Sequence, residues 1–362
     1  MQLKPPIFII TTAENGAGLV QGLLDGHPSL NVLPFLCDFY KLYERHQSSG
    51  AESLANALVD YPMIKRVLDG KSANAYGDFR GLRFSKKNVL ERYFKLTGDK
   101  LPDRKTYFYA ATTALCEELG FPSDLRLVAH IHFPERADRY VADFPDASWI
   151  VCTATISNLL SFFAFNYPRM LQKRFRPVAF AWWQRIHITM QRLAGVAQIP
   201  VASMIEIKFE DLLTAPHLIA KRLSDGLGIE DAPSLYRTTA LGRKLVCRYP
   251  TGAIWVEDGR ICSSDARFDV LLHGTHATIE PPLPQPLRSS WFVPQEELDT
   301  PWTPRQLKTS LRQTIAEIRY ALGLDRSTQQ SIREMRRNRA SINEALGLQR
   351  LENAQGTKPG TK

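Results

Sequence analysis

The chain has 362 residues and a mass of 41.0 kDa, enough for one large α/β domain or two average ones, and it reads as one domain with embellishments. A hydrophobic share of 44%, with 10% aromatic, excludes global disorder. The net charge of +9 is moderate and uneven, since Arg326 to Lys362 holds eight Lys or Arg against three Glu; a groove for an anionic substrate, an acidic partner, nucleic acid, a membrane surface and a solvated helix all fit such a tail.

Five cysteines (Cys37, Cys116, Cys152, Cys247 and Cys262) show no CxxC spacing and an odd total, which argues against a disulfide framework or a zinc site and for reduced thiols. The chain enters a core strand soon after Met1, leaving no room for a signal sequence, and no apolar run approaches the ~18 residues of a membrane span. The expected compartment is the cytosol.

In chain order, Ile7 to Leu36 reads as a buried strand, a glycine-containing turn, a helix with apolar spacing from Leu19 to Leu24, a stop at His27-Pro28, and a second extended run from Leu30 to Leu33. This is a βαβ opening. From Phe39 to about Gly120 the pattern is mostly helical. Leu125 to Ile131 and Trp149 to Cys152 read as strands, each followed by a helical segment, Arg136 to Phe144 and Ile156 to Tyr167. Val201 to Phe209 is another strand, and Glu210-Asp211 opens a helix running to Gly228. The alternation predicts an α/β fold with a three-layer parallel sheet flanked by helices.

The later part differs. Asp258-Gly259 between two alternating runs is a hairpin signal, and seven prolines from Pro281 to Pro304 demand loop or extended chain. The expected division is a core over 1–240, a Pro-rich hairpin and loop segment over 241–305, C-terminal helices over 306–351 and a disordered tail over 352–362. A protein partner is expected to meet the basic C-terminal helix or the Pro-rich segment.

Three stretches together resemble the sulfotransferase family, whose members move a sulfuryl group from 3′-phosphoadenosine 5′-phosphosulfate (PAPS) to a hydroxyl or amine. PPIFII, the turn after it and LLDGHPSLNVLPF are similar to the family's first strand, 5′-phosphosulfate loop, helix and His-Pro exit. FPDASWIVCTATISNLLSFF resembles its strand and 3′-phosphate motif, and IEIKFEDLLTAPHLIAKRLSDGLGIE its late strand and helix. The matches run from residue 5 to about 230 in the family's order.

The resemblance implies a P-loop-like cradle in which backbone N–H groups and a helix N-terminus face the anion. Thr12, Asn15, Gly16, Ala17 and Gly18 fall on that loop, and Thr153 and Ser161 on the 3′-phosphate motif. The chain departs from the family pattern at each point where charge matters. Family loops of this subgroup read G-x-x-R-S-G-T-T; here Glu14 stands for the Arg, Asn15 for the Ser, and Ala17 and Gly18 for the two Thr. Thr153 replaces the Arg of the second motif, and no Lys or Arg lies between Arg139 and Arg169. Pro-Phe-Glu, whose carboxylate serves as general base in many relatives, becomes Pro34-Phe35-Leu36, with Asp38 as the nearest acid. His132-Phe133-Pro134 takes the place of Lys-Thr-Pro, at the strand end where open α/β sheets place ligands.

Two functions follow from these residues. One is a sulfotransferase-like pseudoenzyme that acts by binding or regulation, with no cofactor. The other is an active sulfotransferase that binds PAPS or its product PAP and modifies a glycan, lipid or small metabolite, with His132 and Asp38 as catalytic groups and no metal. An ATP- or GTP-dependent P-loop enzyme is excluded, because the turn lacks Gly-Lys-Ser/Thr and no lysine occurs between Lys4 and Lys41. Nucleic-acid binding is not expected.

Overall fold

The computed structural model describes residues 4–11, 16–71, 77–98, 100–132, 134–153, 195–245, 254–257 and 260–263. Apart from 195–198, all of these belong to one compact unit built from 1–154 and 199–265. The expectations for Thr12, Glu14, Asn15, Ser161, the helix from Ile156, the prolines from Pro281 to Pro304, the C-terminal helices and the tail lie outside the described residues.

The framework is a sheet of five parallel strands: β1 (Ile7–Thr11), β2 (Leu30–Leu36), β3 (Arg126–His132), β4 (Ser148–Thr153) and β5 (Met204–Lys208), in the order β2-β3-β1-β4-β5. β1 is central and buried at every residue, which suits its unbroken apolar run rather than an alternating one. The connections leaving β1 and β3 head in opposite directions along the sheet. Right-handed crossovers then carry them to opposite faces and open a crevice at the carboxyl ends of these two strands.

One face is covered by α1 (Ala17–Leu24), which packs on β1, β2 and β3. The region expected to be mostly helical contains α2 (Phe39–His46), α3 (Ala51–Asp60), α4 (Pro62–Leu68), α5 (Lys86–Thr97) and α6 (Arg104–Glu118); α7 (Ala137–Asp143) follows β3. Aromatic rings fill the core around Phe8. Phe108, Tyr140, Phe144 and Trp149 surround it with centroids 4.9–5.6 Å away, the first two edge to face and the other two tilted.

Three sequence expectations need adjustment. The strand expected over Val201 to Phe209 shortens to β5, because Val201–Ser203 forms a 3-10 turn after Pro200. The single helix expected from Glu210 to Gly228 is two, α8 (Phe209–Thr214) and α9 (Pro216–Leu227). Pro216 explains the break: it disfavours helical geometry in Ala215 but suits the first turn of a new helix. The extended run expected to end at Leu33 continues through Pro34 to Leu36 on the edge strand β2, where a missing N–H costs least. α9 ends as expected at Gly228, which is left-handed at φ 63°.

Two small hairpins complete the described fold. β6 (Thr239–Ala240) and β7 (Arg243–Lys244) are antiparallel, as are β8 (Ile254–Glu257) and β9 (Arg260–Ser263), which flank Asp258-Gly259 as the sequence predicts. Asp25, buried at the end of α1, accepts from Thr239 Oγ1 at 2.6 Å, Gly242 N at 2.9 Å and Leu241 N at 3.2 Å, so it staples the β6–β7 turn to the sheet's covering helix. Burial raises its carboxyl above the usual range against these hydrogen bonds. His27 is structural in the same way: Nδ1 accepts from Ser29 N, so Nε2 donates to Glu230 O at 2.9 Å and ties the exit of α1 to the chain after α9.

Among the described residues no helix is long and apolar enough to cross a membrane, and no group of His, Cys, Asp and Glu is arranged to hold a metal. Cys37 and Cys116 are free thiols.

Candidate functional site

The crevice at the carboxyl ends of β1 and β3 is bordered by the start of α1. Gly16 is its N-cap, left-handed at φ 81°, and its carbonyl accepts from Leu19 N and Val20 N. The side of Gly16 where a Cβ would stand is already closed: such an atom would lie 2.8 Å from Phe209 Cδ2 and 2.9 Å from Leu212 Cδ2. Glycine is therefore required twice over, by backbone conformation and by the close approach of α8. Ala17 and Gly18 occupy the first turn, with Ala17 buried and Gly18 half-buried.

His132, half-buried, is the last residue of β3 and has φ 63°. Among the described residues Leu241 is the other non-glycine with positive φ. Leu241 is accounted for by its hairpin, where Leu241-Gly242 supply the two positive φ angles of a type I′ turn. His132 sits instead at a register shift between β1 and β3, where Ile9 faces His130 and Ile10 faces His132, leaving Ile131 as the extra residue. A bulge re-aims the side chains beside it, and left-handed backbone in a non-glycine residue marks a position held by its surroundings.

What holds the ring is a buried polar chain. Gln21, in the second turn of α1 and 4% exposed, donates its amide to the carbonyls of Leu33 and Phe35 on β2. Its Oε1 meets His130 Nδ1 at 2.9 Å, and His130 Nε2 meets His132 Nδ1 at 3.1 Å. Burial, then the neighbouring His132, pushes the imidazole of His130 well below its ordinary range, so it stays neutral. Sequence reasoning misses Gln21 and gives His130 no role. The available signal was a glutamine within an otherwise apolar helix face, with a histidine two residues before the strand end.

Asp38 is not placed at the crevice by any described contact. It is 3% exposed and caps α2, accepting from Lys41 N at 3.1 Å, and it pairs with Arg136 Nη1 at 3.2 Å. Arg136 also reaches Glu44 at 2.9 Å. Burial raises the Asp38 carboxyl above its usual range, with the cap and Arg136 pulling the other way.

Thr153 ends β4, on the other side of β1 from β3. Its hydroxyl donates to Glu206 Oε1 of β5 at 2.8 Å. A carboxylate therefore stands beside the residue that matches the family's guanidinium position. Glu206 was also missed, although its half-buried place between buried Ile205 and Ile207 follows from strand alternation.

No family model and no curated protein matches the chain. Solved structures do show similarity. The sulfotransferase domain from the curacin biosynthetic pathway is 16% identical, over 65% of this chain and 78% of that one, with a TM-score of 0.42. The sulfotransferase domain of the Synechococcus PCC 7002 olefin synthase is also 16% identical, over 65% and 77%, with a TM-score of 0.37. A sulfotransferase from Alicyclobacillus acidocaldarius is 13% identical, over 67% and 87%, again with a TM-score of 0.37. These are similarities in the course of the backbone and assign no residue.

Proposed function

We propose that the chain is a sulfotransferase-like pseudoenzyme, a binding or regulatory protein that has given up PAPS chemistry at the carboxyl edge of its sheet. The observation that carries this reading is the Thr153–Glu206 hydrogen bond of 2.8 Å. A phosphate brought against Thr153 would meet a carboxylate. Even at an effective dielectric near 20, a like-charge contact at ~4 Å costs on the order of 4 kcal/mol, and the bidentate cation that normally offsets phosphate charge is missing. In the sequence Glu14 stands where the resembled loop carries Arg, and Gly16 offers backbone alone. The residues present do not fit the 3′-phosphate, so PAPS and PAP are not proposed as ligands.

Calorimetric titration with PAP tests the reading. The expected result is no binding by the native protein at millimolar nucleotide, and measurable binding by the double variant Thr153→Arg, Glu206→Gln. Micromolar binding of PAP by the native protein would overturn it.

A second reading is favoured by one observation, the left-handed, hydrogen-bonded His132 at the end of β3. In that reading the protein is an active sulfotransferase with a rebuilt donor site, in which His132 takes the proton of an acceptor hydroxyl. Asp38, committed to a helix cap and to Arg136, then supports the scaffold.

A further inference from the structure

The described contacts of the buried chain from β2 through α1 to β3 are satisfied by one set of proton positions. Carbonyl oxygens accept and never donate, so the Gln21 amide nitrogen must point at Leu33 and Phe35, and Oε1 must point at His130. His130 Nδ1 therefore carries the hydrogen. A neutral imidazole has one N–H, and His130 is 1% exposed with no room for the charged form, so its Nε2 is a bare acceptor. Only a hydrogen on His132 Nδ1 completes the 3.1 Å contact.

We propose that Gln21 and His130 are positioning residues that lock His132 in the Nδ1–H tautomer, so that the neutral ring at the carboxyl edge carries its lone pair on Nε2. Neutral histidine in water prefers the opposite tautomer, with the proton on Nε2. The relay reverses that preference, and the bulge at Ile131 with the left-handed backbone of His132 keeps the ring in line with it. The consequence concerns the ligand and rests on the reading that the carboxyl edge is a binding site. Nε2 accepts a hydrogen bond or a proton, so it suits a ligand hydroxyl or amine. Unprotonated, it repels the lone pairs of a phosphate or sulfate oxygen. The inference holds for a binding protein and for an active transferase alike, because it fixes the ring before any ligand arrives.

The test is long-range ¹H–¹⁵N correlation of the imidazole rings in the full-length, ¹⁵N-labelled protein at about pH 8, above the ordinary imidazole range, with His130→Asn and His132→Ala used for assignment. The expected spectrum shows both rings protonated at Nδ1 and bare at Nε2. The variant Gln21→Leu removes the acceptor that orients His130 and should shift His132 toward the Nε2–H form. Should Gln21→Leu fail to fold, His130→Leu deletes the acceptor for His132 Nδ1–H directly, with the same expected shift. A His132 already in the Nε2–H form in the native protein overturns the proposal, as does a His132 whose tautomer ignores both substitutions. The ring spectrum is read without ligand and the PAP titration without reference to tautomers, so failure of one is distinguishable from failure of the other.

Discussion

His130 makes the fold's stability depend on pH in a way that can be worked out in advance. The side chain is 1% exposed, and its burial, with His132 beside it, pushes the imidazole well below the reference value of 6.5. Its folded value is thus lower than its unfolded one. Below pH 6.5 the unfolded chain takes up a proton that the native state refuses, so stability is lost as pH falls, at roughly 1.4 kcal/mol per pH unit for one proton. One unit below the unfolded value the cost is about 1.4 kcal/mol, and one unit above it is almost nil. Asp25 and Asp38 act with the opposite sign in the carboxylate range, because burial raises both: they favour the native state as pH drops toward their folded values. A variant comparison removes them. His130→Asn keeps a donor at the Nδ1 position for Gln21 and deletes the titrating ring. Equilibrium urea unfolding of both proteins at pH 7.5 and 5.5 should show the native protein losing about 1.4 kcal/mol more than the variant over that interval. Equal losses would mean that His130 is protonated in the native state, which would also break the proton assignment of the relay.

Two further substitutions test packing around the crevice. Gly16→Ala places a methyl group within 2.9 Å of both Phe209 and Leu212 and forces a non-glycine into φ 81°, so thermal or urea unfolding should show a loss on the order of 2 kcal/mol or more; a neutral result would mean that α8 does not seal the start of α1. Tyr140→Phe keeps the stack on Tyr40, whose ring lies 3.8 Å away at 7°, but removes the hydroxyl that accepts from Tyr40 N at 3.1 Å. Leaving that buried N–H without its acceptor should cost about 1–3 kcal/mol with far-UV circular dichroism unchanged.

The sheet was legible because its cause is local. Unbroken apolar runs such as IFII and WIVC can be satisfied only as strands covered on both faces, and Gly16, His27-Pro28 and Gly228 mark the ends of helices by conformational rules that need no tertiary knowledge. The site was legible only in part, because its chemistry depends on partners far apart in sequence. Nothing local reveals that Gln21 faces His130, 109 positions later, or that Thr153 is met by Glu206. Asp38 shows the converse. Its position after Pro34-Phe35-Leu36 suggested a displaced base, whereas in three dimensions its two oxygens serve a helix cap and an arginine from beyond β3.

If the carboxyl edge binds a ligand, as proposed, the two polar positions that border β1 would favour the same kind of ligand for different reasons. β3 and β4 both pair with β1, so their carboxyl ends lie about 10 Å apart, a span that one small molecule bridges. At the β4 end, Glu206 opposes anions and attracts a hydrogen-bond donor. At the β3 end, a His132 held as the Nδ1–H tautomer presents an acceptor. An oxyanion would then be disfavoured at both ends, and a molecule with hydroxyl or amine groups would suit both, without the guanidinium and phosphate-loop cation that PAPS would need. On the proposed reading, the same scaffold would select against the donor by charge and for a proton-bearing ligand by tautomer.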